Sequence, residues 1–330
     1  MKRMSDTPEE ILDTTTDRPL VTFALIAYNQ EKFIREAVKG AFSQTYEPLE
    51  IILSDDCSSD RTFEIMKEMA DAYDGPHEVR ARQNEVNLGL AGHVNTVVQH
   101  SIGEILLLAA GDDVSLPYRT CMSIDLLNEN KNSAAALLSA DVIDDTGKTI
   151  GEFLCKTRKG RGNTQTIDDL LSWNHKTFGA TRAVRREVFT KFGPLNESCP
   201  TEDTPLLLRS LILGTNAISQ LKAIQYRRHD SNLSGAASMK KMNISTIYQQ
   251  YTDDIDTAES LNIITYNIAN NLRRWLKIDH RVRILKLRAS LNERISLKDA
   301  IFLIRHPSMD LRSKIKFTME YLVTFKANKS

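Results

Sequence analysis

The chain has 330 residues, enough for one large α/β body with an appendage, and its 41% hydrophobic and 26% charged content is that of an ordinary globular protein. Its 43 basic and 43 acidic side chains cancel, but unevenly: residues 271–330 carry +10 and residues 1–270 carry −10. No stretch approaches 18 uncharged apolar residues, which excludes a membrane-spanning helix. Cys57, Cys121, Cys155 and Cys199 form no zinc-like pattern and suit free thiols in a reducing compartment, so a cytoplasmic protein is expected.

A polar, acidic leader covers residues 1–18. Residues 20–27 (LVTFALIA) read as a first buried strand, broken by Tyr28-Asn29-Gln30, and 31–44 carry helical spacing at Phe33, Ile34, Ala37, Val38 and Phe42. After Pro48, LEIILSDD is a second strand ending on Asp55 and Asp56, and Asp60 is placed to cap a helix to about residue 72. A third strand is expected at 78–82, then Asn87-Leu88-Gly89 and a helix at 90–100. A fourth strand at 104–109 runs into Gly111-Asp112-Asp113. This βαβαβαβ order with short loops predicts a parallel sheet wrapped by helices. It lacks GxGxxG, so a dinucleotide fingerprint is not supported.

Two adjacent carboxylates repel each other unless a cation or donor compensates them. Asp112-Asp113 therefore suggests a hard divalent ion of the kind that bridges phosphates, against the plainer account of a solvated turn. Tyr28-Asn29, Asp55-Asp56 and Asp112-Asp113 close successive strands, and one sheet edge would collect all three, where open α/β sheets bind ligands. Beyond them the pattern predicts a helix at 116–130 with Pro117 in its first turn, a strand at 134–140 and a hairpin at Asp144-Asp145-Thr146-Gly147. A basic loop follows at 155–165, then helices at 185–192 and 201–213, the latter opened by Thr201-Glu202-Asp203. A strand at 217–227 leads into Tyr226-Arg227-Arg228-His229-Asp230-Ser231-Asn232.

From residue 239 the pattern is helical nearly to the end. NLRRWLKI, RVRILKLRASL and LRSKIKFTMEYLVTF mix basic and apolar residues at amphipathic spacing. They are expected to dock on an anionic membrane surface, the alternative being a bundle whose apolar stripe packs on the preceding domain. Aromatics are few there and no nucleic-acid-binding motif occurs, so no nucleic-acid partner is expected.

Taken in order, FALIAYN, SQTYEPLEIILSDDCSSDRT, NLGLAGHVN, LLLAAGDD, TED and YRRHDSN resemble the family 2 glycosyltransferases, inverting enzymes of the GT-A fold, over about residues 20–235. The resemblance implies an α/β GT-A fold, a Rossmann-like mixed sheet flanked by helices with a helical C-terminal extension. It divides the chain into a flexible leader at 1–18, a transferase domain at 19–238 and a helical basic region at 239–330. The domain has a nucleotide-binding half at about 19–115 and an acceptor half at about 116–238. The implied reaction moves a sugar from a nucleoside diphosphate sugar to a hydroxyl of a glycan or lipid-linked acceptor in surface polysaccharide assembly.

In that resemblance Ala27, Tyr28, Asn29, Asn87 and Gly89 line the nucleotide. Asp55 or Asp56 accepts the imide N–H of uracil or thymine, which favours UDP or dTDP sugars. Asp112 serves ribose and metal; Asp113 and His229 serve the metal, Mg2+ or Mn2+, and His229 also lies near the diphosphate. Asp203, beside Glu202, is the general base, and Arg227 and Arg228 are within reach of phosphates. Trp173, His175 and Gly179 fall in the acceptor half. One departure stands out: Ala110 occupies the place of an acidic residue in the fuller pattern. A nucleotidylyltransferase would show a glycine- and basic-rich phosphate loop near the first strand, which LIAYNQEKF lacks. A non-catalytic nucleotide- or glycan-binding protein on the same fold is the other alternative, and Ala110 is the feature that supports it.

Overall fold

In the computed structural model, residues 18–155, 162–175, 179–230, 232, 242–291, 293, 295–309 and 314 are described. Most of the leader, most of the basic loop at 155–165 and the last amphipathic segment lie outside them. The first four strands are β1 (Val21–Ala27), β2 (Leu49–Asp55), β3 (Glu78–Gln83) and β4 (Ile105–Ala110), parallel and in the order β3-β2-β1-β4. Between them run α1 (Ile34–Phe42), α2 (Thr62–Asp71) and α3 (Gly89–His100). β1 and β2 are continuous apolar runs because helices cover both faces of a parallel sheet, and almost every residue of both is buried. Register decides the site: Ala27 pairs with Asp55 and Ile26 with Ala110, so the carboxyl ends of β1, β2 and β4 finish level.

The second half turns the sheet from parallel to mixed. After β5 (Val114–Ser115) and α4 (Arg119–Glu129) come β6 (Ser133–Ile143), β7 (Thr149–Phe153) and β8 (Thr164–Gln165). Pro117 precedes α4 rather than sitting in its first turn, and its carbonyl accepts the Thr45 N–H. After α5 (Ile167–Leu171), a 3-10 turn at Gly179–Thr181 leads into β9 (Ala183–Arg185), three residues that slide antiparallel between β4 and β6. The helix expected at 185–192 is cut to α6 (Glu187–Thr190) by this strand. α7 (Asp203–Leu213) and β10 (Thr215–Arg227) complete a sheet of 10 strands among the described residues.

The C-terminal region forms α8 (Ile244–Ser260), α9 (Tyr266–Ser290) and α10 (Leu297–Arg305). Their apolar stripe does not face outward. Ile247, Tyr251, Ile255, Leu272, Trp275 and Leu276 join Leu206, Leu207, Leu211 and Val188 in one buried cluster that runs through to β1 and β4. Each fully buried aliphatic side chain there contributes about 1.5–3 kcal/mol. Trp275 packs on Trp173 with ring centroids 5.3 Å apart and on Tyr251 at 5.8 Å. Arg209 of α7 and Asp254 of α8, both buried, pair at 2.9 Å. Such a pair specifies how two helices meet, because separating it strands a charge away from water. The amphipathic pattern of NLRRWLKI is therefore satisfied by packing. Among the described residues no helix is long and apolar enough to cross a membrane.

Candidate active site

At the end of β1, Asn29 takes a positive φ of 52° and ties this turn to the next. Its backbone N–H donates to Ser58 Oγ at 2.8 Å, and its Oδ1 accepts the Ser59 N–H at 2.9 Å. Tyr28 beside it is 47% exposed, open to a ligand. The Ala27 carbonyl accepts the Asp56 N–H at 3.0 Å, so the β1 and β2 ends are stitched together.

Asp55 and Asp56 are both buried, yet they differ in what remains to them. Asp55 is consumed by its own turn: Oδ2 accepts from Ser58 N–H at 2.8 Å and Gln83 Nε2 at 2.9 Å, and Oδ1 accepts from Ser58 Oγ. Asp56 is held through Oδ1 alone, by Asn84 Nδ2 at 2.7 Å and the Leu88 N–H at 3.0 Å. That second bond comes from the Asn87–Gly89 turn, itself closed by Gly89 N–H on Asn87 Oδ1. Behind Asp56, Arg82 donates to Ser54 Oγ at 2.6 Å, and Ser54 meets His93 Nε2 at 2.7 Å. Burial pushes the His93 imidazole down to about 4, so it stays neutral.

At the end of β4, Gly111 is required by close approach, because a Cβ there would lie 2.5 Å from Gln30 Oε1 and 2.8 Å from Ala27 Cβ. The two aspartates that follow point apart. Asp112 Oδ2 lies 3.0 Å from His229 Nε2 and 3.2 Å from Asn232 Nδ2. Asp113 turns inward, where its Oδ1 accepts the Arg227 N–H at 2.8 Å. Burial, and then the Asp112 charge, push the Asp113 carboxyl well above the usual carboxylate range. Arg227, expected within reach of phosphate, is instead fully engaged inside the protein. Its guanidinium donates to the Asp112 carbonyl at 3.0 Å, to Glu36 at 2.7 Å and to the Asp144 carbonyl at 3.2 Å, and it lies over the Phe33 ring at 4.7 Å. Arg228 next to it is exposed.

Among the described residues no group of three or more His, Cys, Asp or Glu side chains is set to hold a metal ion. A carboxylate and an imidazole 3.0 Å apart nonetheless fit a cation whose remaining ligands come from a diphosphate and water, the usual arrangement for Mg2+ and Mn2+ at phosphates. The donor set suits a substrate-bridging ion rather than a resident one.

The acceptor half comes to the same edge through buried arginines. Arg119 Nη2 joins the Leu108 and Ala180 carbonyls at 2.6 and 2.8 Å, fixing the 3-10 turn against β4. Burial pushes its guanidinium down to about 9. Arg182 Nη1 donates to the Asp203 carbonyl at 2.8 Å and stands 3.5 Å from Asp203 Oδ1. Glu202 and Asp203 are half-buried at the start of α7. Loss of water around Glu202, and then the neighbouring Asp203 charge, raise its carboxyl to about 8. Asn232 and the buried arginines Arg119 and Arg182 are site elements that the sequence reading passed over. The Asn closing YRRHDSN carried a signal only as a turn residue.

The sequence profile of glycosyl transferase family 2 matches residues 22–193, just over half of the chain. The chain belongs to glycosyl transferase family 2. EpsE of Bacillus subtilis is 30% identical over 129 residues, 39% of this chain and 46% of that protein. The uncharacterised Mycobacterium tuberculosis protein Rv1520 is 33% identical over 206 residues, 62% of this chain and 57% of that one. The family 2 chain thus spans about half the length of these relatives. Among solved structures, S. aureus TarS 1–349 in complex with UDP-GlcNAc aligns with a TM-score of 0.62 at 15% identity, covering 86% of this chain and 78% of that one. The mannosyltransferase PcManGT from Pyrobaculum calidifontis, in complex with GDP-Man and Mn2+, aligns with a TM-score of 0.54 at 16% identity over 95% and 87%. The likeness is one of fold, and it is the GT-A fold expected from the sequence. Asp203, His229 and Asn232 lie beyond the matched residues.

Proposed function

We propose that this family 2 chain is an inverting glycosyltransferase that moves a sugar from a UDP or dTDP sugar to a hydroxyl of a glycan or lipid-linked acceptor in surface polysaccharide assembly. The observation that supports this reading is the level finish of β1, β2 and β4, which brings Asp56 and Asp112 to one edge, with His229 on Asp112; the turn that Arg119 ties to Leu108 leads into Arg182, which holds Asp203. Asp56 keeps Oδ2 for the base, and a carboxylate acceptor selects an imide N–H, which favours uracil or thymine over cytosine. Asp112 and His229 would hold Mg2+ or Mn2+, which would neutralise charge developing on the leaving diphosphate. Asp203 takes the proton of the attacking acceptor hydroxyl, on the side of the sugar away from the diphosphate. The neighbouring folds that carry UDP-GlcNAc, or GDP-Man with Mn2+, support a sugar-nucleotide donor without choosing the base.

The same reading puts the enzyme on the cytoplasmic face of a membrane. All four cysteines are free thiols, in keeping with a reducing compartment. Arg274 and Lys277 stand three residues apart on the exposed side of α9 and match an anionic surface in charge.

Diphosphate release from a panel of UDP, dTDP and GDP sugars, with Mn2+ and with glycan and lipid-linked acceptors, tests the assignment. Release from one donor that depends on an acceptor is expected. Nucleotide binding without release from any donor would leave a binding protein on a transferase fold.

A further inference from the structure

Asp112, His229 and Asn232 form a closed triangle of hydrogen bonds. The His229 backbone N–H donates to Asn232 Oδ1 at 2.6 Å, Asn232 Nδ2 donates to Asp112 Oδ2 at 3.2 Å, and His229 Nε2 meets the same Oδ2 at 3.0 Å. Asn232 Nδ2 also donates to the Arg227 carbonyl at 3.2 Å. Asn232 is 8% exposed, and a donor on one end with acceptors on the other fix which end is oxygen. The His229 ring also rests on Phe33, with centroids 4.8 Å apart.

A cation on this pair needs the lone pair of His229 Nε2. The direct His229–Asp112 hydrogen bond cannot then be what keeps the two residues in register. The bonds through Asn232 can, because they grip His229 by its backbone and Asp112 by a carboxylate oxygen that accepts more than one partner. We propose that Asn232 is a positioning residue that locks Asp112 and His229 into a two-residue cation clip, an inference that rests on the nucleotide-sugar reading of the site.

The test uses the full chain, with Mn2+ titrated at saturating UDP, and at saturating GDP in parallel, and bound Mn2+ read from the loss of the free-ion electron paramagnetic resonance signal. Asn232→Ala is expected to weaken Mn2+ binding about 10- to 100-fold, the scale for partners that orient metal ligands. Nucleotide binding in excess chelator should change by less than about threefold. In a His229→Ala background the same substitution should cost several-fold less than in the wild type, because the register between the two ligands no longer counts and only the Asn232 bond to Asp112 is left to lose. Full Mn2+ affinity in Asn232→Ala overturns the proposal, as does a loss undiminished in the His229→Ala background. Asn232→Ser serves if the alanine variant melts, and melting of both would make Asn232 a structural residue and overturn the proposal. Wild-type protein that takes up no Mn2+ with either nucleotide, and is unchanged by Asp112→Ala, overturns the nucleotide-sugar reading and this inference with it.

Discussion

The Asp203 carboxylate fills the space that a side chain at Gly179 would need: a Cβ built on Gly179 would land on Asp203 Oδ1 and Cγ. The 3-10 turn at Gly179–Thr181 is pinned to β4 by Arg119, so the turn cannot retreat and the carboxylate must. Gly179→Ala is therefore expected to swing Asp203 away from the acceptor. Turnover should fall about 10²-fold, the scale of lost general-base catalysis and the same as in Asp203→Asn. Nucleotide affinity by calorimetry should stay unchanged in both. Normal turnover in Gly179→Ala would place the base elsewhere.

Glu202 makes stability depend on pH in a direction opposite to an ordinary surface carboxylate. In the folded chain its carboxyl is raised to about 8 from the ordinary 4.5, so between these values the folded state holds a proton that the unfolded state has released. The stabilisation is complete below about 4.5 and is lost as pH rises through about 8. Glu202→Gln, which mimics the protonated acid, should remove this slope in urea melts across that window while leaving turnover at neutral pH nearly intact. Identical slopes for the two proteins would show that Glu202 is ionised throughout.

Much of this site could be read from the chain because its carboxylates end strands whose apolar runs mark them plainly. Asp55-Asp56 and Asp112-Asp113 sit where the apolar runs stop and turn residues begin, and the helices between them carry the right spacing. β9 escaped because three residues, Ala183–Arg185, are too short to show a period, and their place between β4 and β6 is set by neighbours far away in sequence. Arg119, Arg182 and Arg209 escaped, and Arg227 was assigned to phosphate instead of the interior, for another reason. Arginine in a sequence reads as surface charge, but these four are fully buried, held by carbonyls and acids that distant segments supply. The amphipathic C-terminal pattern defined an apolar face and left its partner open, and the partner proved to be α7 and the Trp173 turn.

Asp55 and Asp56 separate by experiment because their hydrogen bonds differ. Asp56→Asn places a donor where the imide N–H needs an acceptor, and UDP binding should weaken about tenfold or more, the worth of a hydrogen bond to a charged group. Asp55→Asn should instead loosen the turn that Ser58 and Gln83 close, lowering the melting temperature more than it lowers UDP affinity. Calorimetry with UDP and GDP on the wild-type chain checks the base preference directly. Tighter binding of GDP would overturn it.

The C-terminal helices permit a last prediction that separates packing from membrane contact. Trp275 is buried among Trp173, Tyr251 and His175, so Trp275→Ala should cost about 3–5 kcal/mol in urea unfolding, as deletion of a core aromatic does. With the apolar stripe used internally, any contact of α9 with a membrane must be electrostatic. The full chain should pellet with anionic vesicles at low salt, release at high salt and ignore neutral vesicles. Each basic residue near an anionic leaflet is worth about 1 kcal/mol, so Arg274→Glu with Lys277→Glu should weaken pelleting more than tenfold while leaving the urea midpoint in place. Pelleting that survives high salt would mean that apolar segments enter the bilayer. Negligible pelleting of wild type on anionic vesicles at low salt would remove the membrane from the proposed function and leave α8, α9 and α10 as the buttress that holds α7, and with it Asp203, against the sheet.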